Sequence, residues 1–175
     1  MLFVAAMGGT DISTGVVVAM GGCFGLMAVE AGASSIVFII ISILMGAASG
    51  LLLGFVNAKL KVNSFMASLA LIMAYRAIVN LMLSDKSLRL PDDLAILDNF
   101  WFKLAIVVVL VLIILYIFKF TRFGNYVRGI GENEVAIAHT GVNVTKIKIL
   151  AFMISGLMAG IAGIFVVARN GGTSN

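Results

Sequence analysis

The chain has 175 residues, of which 62% are hydrophobic and 11% are charged, and its mean hydropathy is +1.16. Soluble proteins carry about 25% charged residues, so this composition excludes an ordinary soluble domain and indicates an integral membrane protein. The net charge is +4, but most lysines and arginines lie at the edges of apolar blocks, as in membrane proteins. Nucleic acid is therefore excluded as a partner.

Five apolar blocks without charged residues follow one another along the chain. They cover residues 12–29, 31–58, 62–75, 104–118 and 149–168. A membrane-spanning helix needs about 20 residues, and the blocks lack the alternation of polar and apolar residues that marks the strands of a membrane barrel. The sequence predicts an all-α polytopic transmembrane bundle of about five spans. Residues 1–175 form one domain in this interpretation.

Small residues recur at four-residue spacing in two blocks. Such ridges let helix backbones approach closely in lipid, so two spans are predicted to pack against other helices. We interpret these residues as packing positions without chemical function. The ridges consist of Ser42, Gly46, Gly50 and Gly54 in the second block, and of Gly156 and Gly160, with Ala159 and Gly163, in the last.

Arg76 lies inside an apolar run, and Asn80 follows one helical turn later. A charge within a membrane is costly, so Arg76 is expected to face protein or water and is a candidate for a solute pathway. The alternative is that its long side chain extends to the membrane surface. Both interpretations stay open.

The polar segment 119–148 is basic and lies between two apolar blocks. Cytoplasmic loops carry an excess of lysine and arginine. Seven such residues fall on the side of this segment, and four fall on the opposite side, which includes the acidic loop 85–98. Segment 119–148 is therefore predicted to be cytoplasmic. The seven are Lys59, Lys61, Lys119, Arg122, Arg128, Lys146 and Lys148, and the four are Lys86, Arg89, Lys103 and Arg169.

A short helix is predicted within segment 119–148. Glu132, Asn133 and Glu134 supply the acceptors and negative charge that favour a helix N-terminus, and Gly141 can adopt the left-handed conformation that ends a helix. About two turns fit between them. The residues that fall on one face are Val135, Ala138 and Val142. Such a short helix must dock, either on its own transmembrane helices or on a cytoplasmic protein.

The sequence offers no recognisable catalytic or metal site. It has one histidine, His139, one cysteine, Cys23, no cluster at metal-ligand spacing and no phosphate-binding loop of the G-x-x-x-x-G-K-S/T type. His139 next to a helix end is interpreted as a polar interface residue. The chain is not expected to be an enzyme or to hold a cofactor.

Three motifs resemble the membrane permeases of ribose-type ABC sugar importers. Residues 121–131, TRFGNYVRGIG, are similar to the approach to the family's cytoplasmic coupling segment, and the following residues fit its G-x-N-x-x-A-x-A-x-x-G-I/V pattern. Residues 50–65 are similar to the family's glycine-rich span and the loop after it. The matching coupling residues are Gly131, Asn133, Ala136, Ala138, Gly141 and Val142. The family signature G-G-I-D-L-S-V-G is matched by Gly8, Gly9, Asp11, Ser13 and Gly15, with departures at Thr10 and Thr14.

The resemblance implies a permease subunit in the inner membrane of a bacterium. It implies a second permease subunit, in a homodimer, a cytoplasmic ATPase that binds the ATP, and an extracytoplasmic sugar-binding protein. The ATPase would dock on the short helix, while Asp11 or Ser13 would cap a helix beginning at Thr14. Permeases of this family are nearly twice as long, so the chain is expected to be an internal fragment. The residues assigned to ATPase coupling are Gly131, Asn133, Glu134, Val135, Ala136, Ala138, His139 and Gly141.

Three other functions compete with sugar import. A related permease for branched-chain amino acids or nucleosides would share the coupling helix, and only substrate competition in a complete transporter separates it from a sugar permease. A membrane scaffold without transport activity would need the ridges but no ATPase. An intramembrane enzyme would need a paired nucleophile and base at one depth, whereas the spans hold only scattered Ser, Thr and Asn.

Overall fold

The computed structural model describes residues 1–83, 88–89, 99–170 and 172–173. Within these residues the chain forms seven α-helices and two paired strands of two residues each. The helices are α1 (Leu2–Ala6), α2 (Thr14–Glu30), α3 (Ser35–Leu60), α4 (Ser64–Leu83), α5 (Phe100–Phe120), α6 (Arg122–His139) and α7 (Val144–Asn170). The strands β1 (Leu88–Arg89) and β2 (Gly172–Thr173) are antiparallel.

The predicted all-α polytopic bundle is confirmed. Four helices, α3, α4, α5 and α7, are long and apolar enough to cross a membrane. The first apolar block differs from the prediction, because α2 begins only at Thr14 and has 17 residues. That length lies at the lower limit for a span. The third block also differs, since α4 continues through Arg76 as far as Leu83.

Helices α3 and α7 make the most extensive contact in the bundle. They run antiparallel, and glycines lie on both sides of the contact. A Cβ atom on Gly46 would meet the carbonyl oxygen of Gly156, and a Cβ atom on Gly156 would meet that of Gly46. Gly50 meets the carbonyl oxygen of Phe152 in the same way. The two small-residue ridges thus pack against each other with their backbones in contact.

Helix α2 completes a three-helix core with α3 and α7. A Cβ atom on Gly163 of α7 would approach the carbonyl oxygen of Val18 to 2.6 Å. On the other side of α2, the hydroxyl of Ser42 donates a hydrogen bond to the carbonyl oxygen of Gly21 over 3.0 Å. This hydroxyl is fully buried, so the bond satisfies a polar group that has no access to water.

Helices α4 and α5 lie outside the three-helix core. No residue of α5 is buried, and its central part from Leu104 to Leu115 is entirely apolar. Helix α4 buries a few residues, among them Ser68 and Tyr75, while its opposite side is exposed. Both helices therefore present long apolar surfaces away from the core.

The chain turns at two ends of the bundle. The C-terminal end of α3, the N-terminal ends of α4 and α7, and the whole of α6 lie at one end, which we call the α6 end. The strands β1 and β2 follow α4 and α7 at the opposite end. The predicted acidic loop 85–98 lies outside the described residues, apart from Leu88–Arg89.

Replacing Gly156 by alanine tests the backbone contact between α3 and α7. The added methyl group would meet the backbone of Gly46 and Gly50, which cannot move aside as a side chain can. We expect the substitution to destabilise the protein by about 1–3 kcal/mol, the usual cost of overpacking. Thermal unfolding in detergent measures the effect.

Gly15→Ala is the matched control, because a Cβ atom at Gly15 would have no atom of the described residues within 4 Å. Alanine favours helix over glycine by up to about 1 kcal/mol, so this variant should be as stable as the native protein or more so. Equal unfolding temperatures for the Gly156→Ala and Gly15→Ala proteins would contradict the role of the contact.

Candidate functional site

Helix α6 is interrupted at Asn133, whose backbone has φ −156° and ψ 98° and is therefore extended. Its side-chain oxygen accepts a hydrogen bond from the backbone N–H of Ala136 over 3.0 Å. This is the geometry of a helix N-cap, in which a side chain satisfies a backbone donor at the start of a helix. Asn133 thus ends one helix and begins a second, short one that continues to His139.

The short helix ends in a tight turn before α7. Gly141 has φ +81°, a left-handed conformation that glycine adopts without strain. The hydroxyl of Thr140 donates to the carbonyl oxygen of Ile137 over 2.7 Å, and the side chain of Asn143 accepts from the N–H of Lys146 over 3.1 Å. Side-chain hydrogen bonds of Thr140 and Asn143, on the two sides of Gly141, therefore hold the turn that joins the short helix to α7. We call residues 133–143 the coupling segment.

Apolar packing and an ion pair hold the coupling segment against the bundle. Ile137 is partly buried and packs against a cluster that contains Val127, Ile130 and Ile147. A Cβ atom on Gly129 would lie 2.7 Å from Ile137 Cδ1, so a glycine there makes room for the isoleucine. An ion pair adds to this contact.

The ion pair joins Glu134 of the coupling segment to Lys148 of α7, with 2.7 Å between carboxylate oxygen and Nζ. The Lys148 side chain is 18% exposed, and that of Glu134 is 54% exposed. An ion pair with such an exposed partner adds little stability. It does fix the position of the short helix relative to α7.

The opposite side of the short helix is exposed. Val135 is 64% exposed, and Ala136, Ala138 and His139 are also exposed. The predicted common face of Val135, Ala138 and Val142 divides in the structure, because Val142 packs on the bundle while the other two face outward. Small and apolar residues thus form an open surface at the α6 end.

The first part of α6 was not predicted, because the glycines in residues 122–132 resemble those of a loop. In the structure they allow close contacts instead. A Cβ atom on Gly124 would meet the carbonyl oxygen of Phe118, and one on Gly131 would meet that of Ala6 in α1. The sequence does carry one signal for the start of this helix, the threonine at position 121. In the structure its hydroxyl accepts from the N–H of Gly124 over 3.3 Å, as an N-cap residue does.

The signature residues 8–13 lie in the non-helical connection from α1 to α2, and Thr14 and Gly15 begin α2. Gly8 has φ +73°, and Gly9 lies so close to Ser64 of α4 that a Cβ atom would be 3.3 Å from the serine hydroxyl. The same hydroxyl accepts a hydrogen bond from the N–H of Thr10 over 3.1 Å. We call residues 7–13 the helix break.

Asp11 supplies the side-chain acceptors at the start of α2. Its Oδ1 accepts from the backbone N–H of Ser13 over 2.9 Å and from the Ser13 hydroxyl over 2.6 Å. Ser13 is the N-cap residue of α2, but its side chain makes no capping hydrogen bond. Neither predicted residue caps α2, because Asp11 accepts from Ser13 and from the Thr14 hydroxyl rather than from a backbone N–H inside the helix, but α2 begins at Thr14 as expected. Nothing contacts the position of a Cβ atom on Gly15.

Arg76 and Asn80 lie on the exposed side of α4. The structure does not bring them to the coupling segment or to the helix break. Their neighbour Tyr75 points the other way and is buried against Val17 and Met20 of α2. The predicted site residues thus occupy three separate places: the coupling segment, the helix break and the outer face of α4.

The whole chain, residues 1–175, matches the family described as branched-chain amino acid transport system / permease component. It is 30% identical to the ribose import permease protein of Escherichia coli strain K12 over 97% of its own length. It is 32% identical over 96% of its length to the galactofuranose transporter permease protein of the same organism. It is 33% identical over 97% of its length to that organism's L-arabinose transport system permease protein.

The matches cover 56%, 51% and 53% of these three proteins, respectively, so the chain spans about half the length of the curated relatives it matches. None of the solved protein structures matches the chain significantly. The match over all 175 residues and the apolar helices together show that the chain is a multi-pass membrane protein belonging to the branched-chain amino acid transport system / permease component family.

Proposed function

We propose that the chain is part of the permease subunit of an ATP-binding-cassette importer that moves a monosaccharide across the inner membrane of a bacterium. Three of its relatives are named as permeases for ribose, galactofuranose and L-arabinose. In this proposal ATP is bound and hydrolysed by a separate subunit. The permease holds no cofactor and transmits movement to the solute path.

The observation that carries the proposal is the exposed outer face of the coupling segment. The small or apolar side chains of Val135, Ala136 and Ala138 lie in the open there, and contiguous apolar patches exposed to water commonly mark interaction sites. The segment is capped at both ends and is attached to α7. It therefore forms a rigid projection on which a cytoplasmic ATPase can dock.

Movement of the coupling segment would be transmitted to the transmembrane helices as a rigid-body shift. The coupling segment is tied to α7 by the Ile137 contact and by the ion pair of Glu134 and Lys148. Helix α7 in turn contacts α3 and α2 with its backbone. A displacement at the α6 end would thus be felt along the three-helix core.

The proposal places the α6 end in the cytoplasm. Lys59 and Lys61 lie at the turn from α3 to α4, and five more basic residues lie between Lys119 and Lys148. Cytoplasmic loops carry such an excess. The opposite end would then receive sugar from an extracytoplasmic binding protein.

The exposed faces of α4 and α5 suit different neighbours. The outer face of α5 is uniformly apolar and suits membrane lipid. The outer face of α4 carries Arg76 beyond the middle of the helix and Asn80 in its last turn, and a charge within the membrane is costly against hydrocarbon. We assign this face to protein or to the aqueous solute path, either within a complete permease or next to a second permease subunit.

Branched-chain amino acid transport is the second candidate function, because the matching family carries that description. Both substrates would use the same coupling segment. Only the solute path distinguishes them.

Substituting Ala138 by arginine tests the ATPase contact. The side chain faces outward, so a bulky charge there should leave the fold intact while blocking a docked partner. We expect co-purification of the ATPase subunit from membranes to fall at least about tenfold, a loss of roughly 1.4 kcal/mol in binding.

Ala31→Arg is the matched control, since Ala31 is an exposed alanine at the opposite end of the bundle. It should retain the ATPase. If the Ala138→Arg protein folds and still retains the ATPase as well as the native one does, the coupling segment is not the docking site.

Exchanging the charges of Glu134 and Lys148 tests how the segment is attached. Glu134→Lys or Lys148→Glu alone places like charges within contact distance, so we expect ATP hydrolysis to continue with reduced uptake. The double exchange restores opposite charges and should recover part of the uptake. Uptake and hydrolysis are measured together in proteoliposomes. A double variant no better than the worse single variant would argue against the ion pair as a connection.

Substrate competition tests the choice of solute. In the assembled importer we expect uptake of labelled pentose to be reduced by excess ribose or arabinose but not by leucine. Leucine uptake in the absence of sugar uptake would replace the sugar proposal with the branched-chain amino acid alternative.

A further inference from the structure

The helix break lies inside the bundle at a depth where a continuous helix would normally be found. Residues of the break lie beside α3 and α7: Asp11 lies near Ser49 and Gly156, and Gly9 lies near Phe152. Ser49 and Gly156 are each roughly halfway along their helices. Non-helical backbone is tolerated at such depth only where it is buried in protein or lines a cavity.

A cavity of about 220 Å³ lies next to the first half of the break, at the α6 end. Met7, Gly8 and Gly9 form one wall, and residues of α3, α4, α7 and the turn between α3 and α4 form the rest. The other lining residues are Asn57, Asn63, Ser64, Lys148 and Phe152. Sites for drug-sized ligands measure roughly 300–1,000 Å³, so this cavity suits a smaller solute.

The second half of the break closes the way toward the middle of the bundle. Asp11, Ser13 and Thr14 face Ser49 and Gly50 across a gap of about 10 Å³, which is room for about one water molecule. Ser13 and Ser49 are 3% and 4% exposed. The same seven-residue break therefore borders an open cavity on one side and a closed, hydroxyl-lined constriction on the other.

The chemistry of the cavity fits a neutral solute rich in hydroxyl groups. The side chains of Asn57, Asn63 and Ser64 each make one hydrogen bond in the described part of the chain, with Val62, Phe65 and Thr10 respectively, and keep further amide and hydroxyl capacity for a solute. The charge of Lys148 is balanced by Glu134 at 2.7 Å, so the cavity does not present an unpaired cation. Phe152 closes the inner wall of the cavity and is 2% exposed. A branched-chain amino acid would instead require a larger apolar surface and partners for both of its charges.

We propose that this cavity is the cytoplasmic vestibule of the solute path, that it takes a neutral polyhydroxylated solute, and that the helix break is the gate above it. The proposal rests on the sugar-importer function and adds the place of exit. In the closed state Asp11, Ser13 and Ser49 seal the path. The solute leaves through the cavity when the break moves away from α3.

Cysteine labelling in the assembled importer tests the vestibule. Met7 lines the cavity, and its side chain makes no hydrogen bond within the described residues that cysteine would lose. In inside-out vesicles, which expose the cytoplasmic face, Met7→Cys should react with impermeant 2-sulfonatoethyl methanethiosulfonate at least about tenfold faster than a lipid-facing cysteine, because only a hydrated thiol ionises readily. Labelling should then reduce uptake of labelled ribose, and excess ribose should slow the labelling.

Val109→Cys on the apolar outer face of α5 is the matched control, and native Cys23 is buried. Asn63→Cys gives a second reading from the opposite wall, should Met7→Cys fold poorly. Labelling no faster than at Val109→Cys, or complete labelling with unchanged uptake, overturns the vestibule. Absence of sugar uptake by the native importer overturns the proposed function instead, and the labelling rate still decides whether the cavity is open to the cytoplasm.

Discussion

Backbone contact between α3 and α7 is the constraint on which the rest of the molecule depends. In lipid the hydrophobic effect does not drive helices together, so association relies on close packing and hydrogen bonds. Gly46 and Gly156 allow the two backbones to touch, and any side chain there would separate them. Helix α2 then fits against both helices, and the coupling segment acquires a fixed position because it is attached to α7.

This close packing also makes the helix break possible. The break leaves backbone groups without helical partners, and neighbouring helices replace those partners. The hydroxyl of Ser64 accepts from Thr10, while the N–H of Gly9 bonds back to Val4 within α1 and its turn. Asp11 supplies the acceptor for Ser13. These hydrogen-bond partners belong to α4, to α1 and to the break itself. They hold the break in a defined shape, so it is not a loose loop.

The sequence predicted those features that local chemistry determines. The all-α bundle follows from the apolar blocks, and the spacing of the glycines indicated helix packing. The sequence could not predict that the two ridges contact each other, because a small-residue ridge does not specify which helix it packs against. The start of α2 at Thr14 was expected from the resemblance, whereas the short helix α1 before the helix break was not predicted. The first part of α6 was missed because Gly124 and Gly131 make contacts that only the folded chain reveals.

Helix α6 contacts α1, which precedes the helix break, and α7, which lies beside it. These contacts connect the coupling segment and the helix break, which are far apart in the sequence. Its first part touches α1 where Gly131 meets the carbonyl oxygen of Ala6, just before the break. Its second part holds Lys148 through Glu134, and Lys148 lines the cavity opposite Gly8. A shift of α6 cannot preserve both contacts unless α1 and α7 move with it. The break joins α1 to α2 beside α7 and must absorb any difference in movement between α1 and α7.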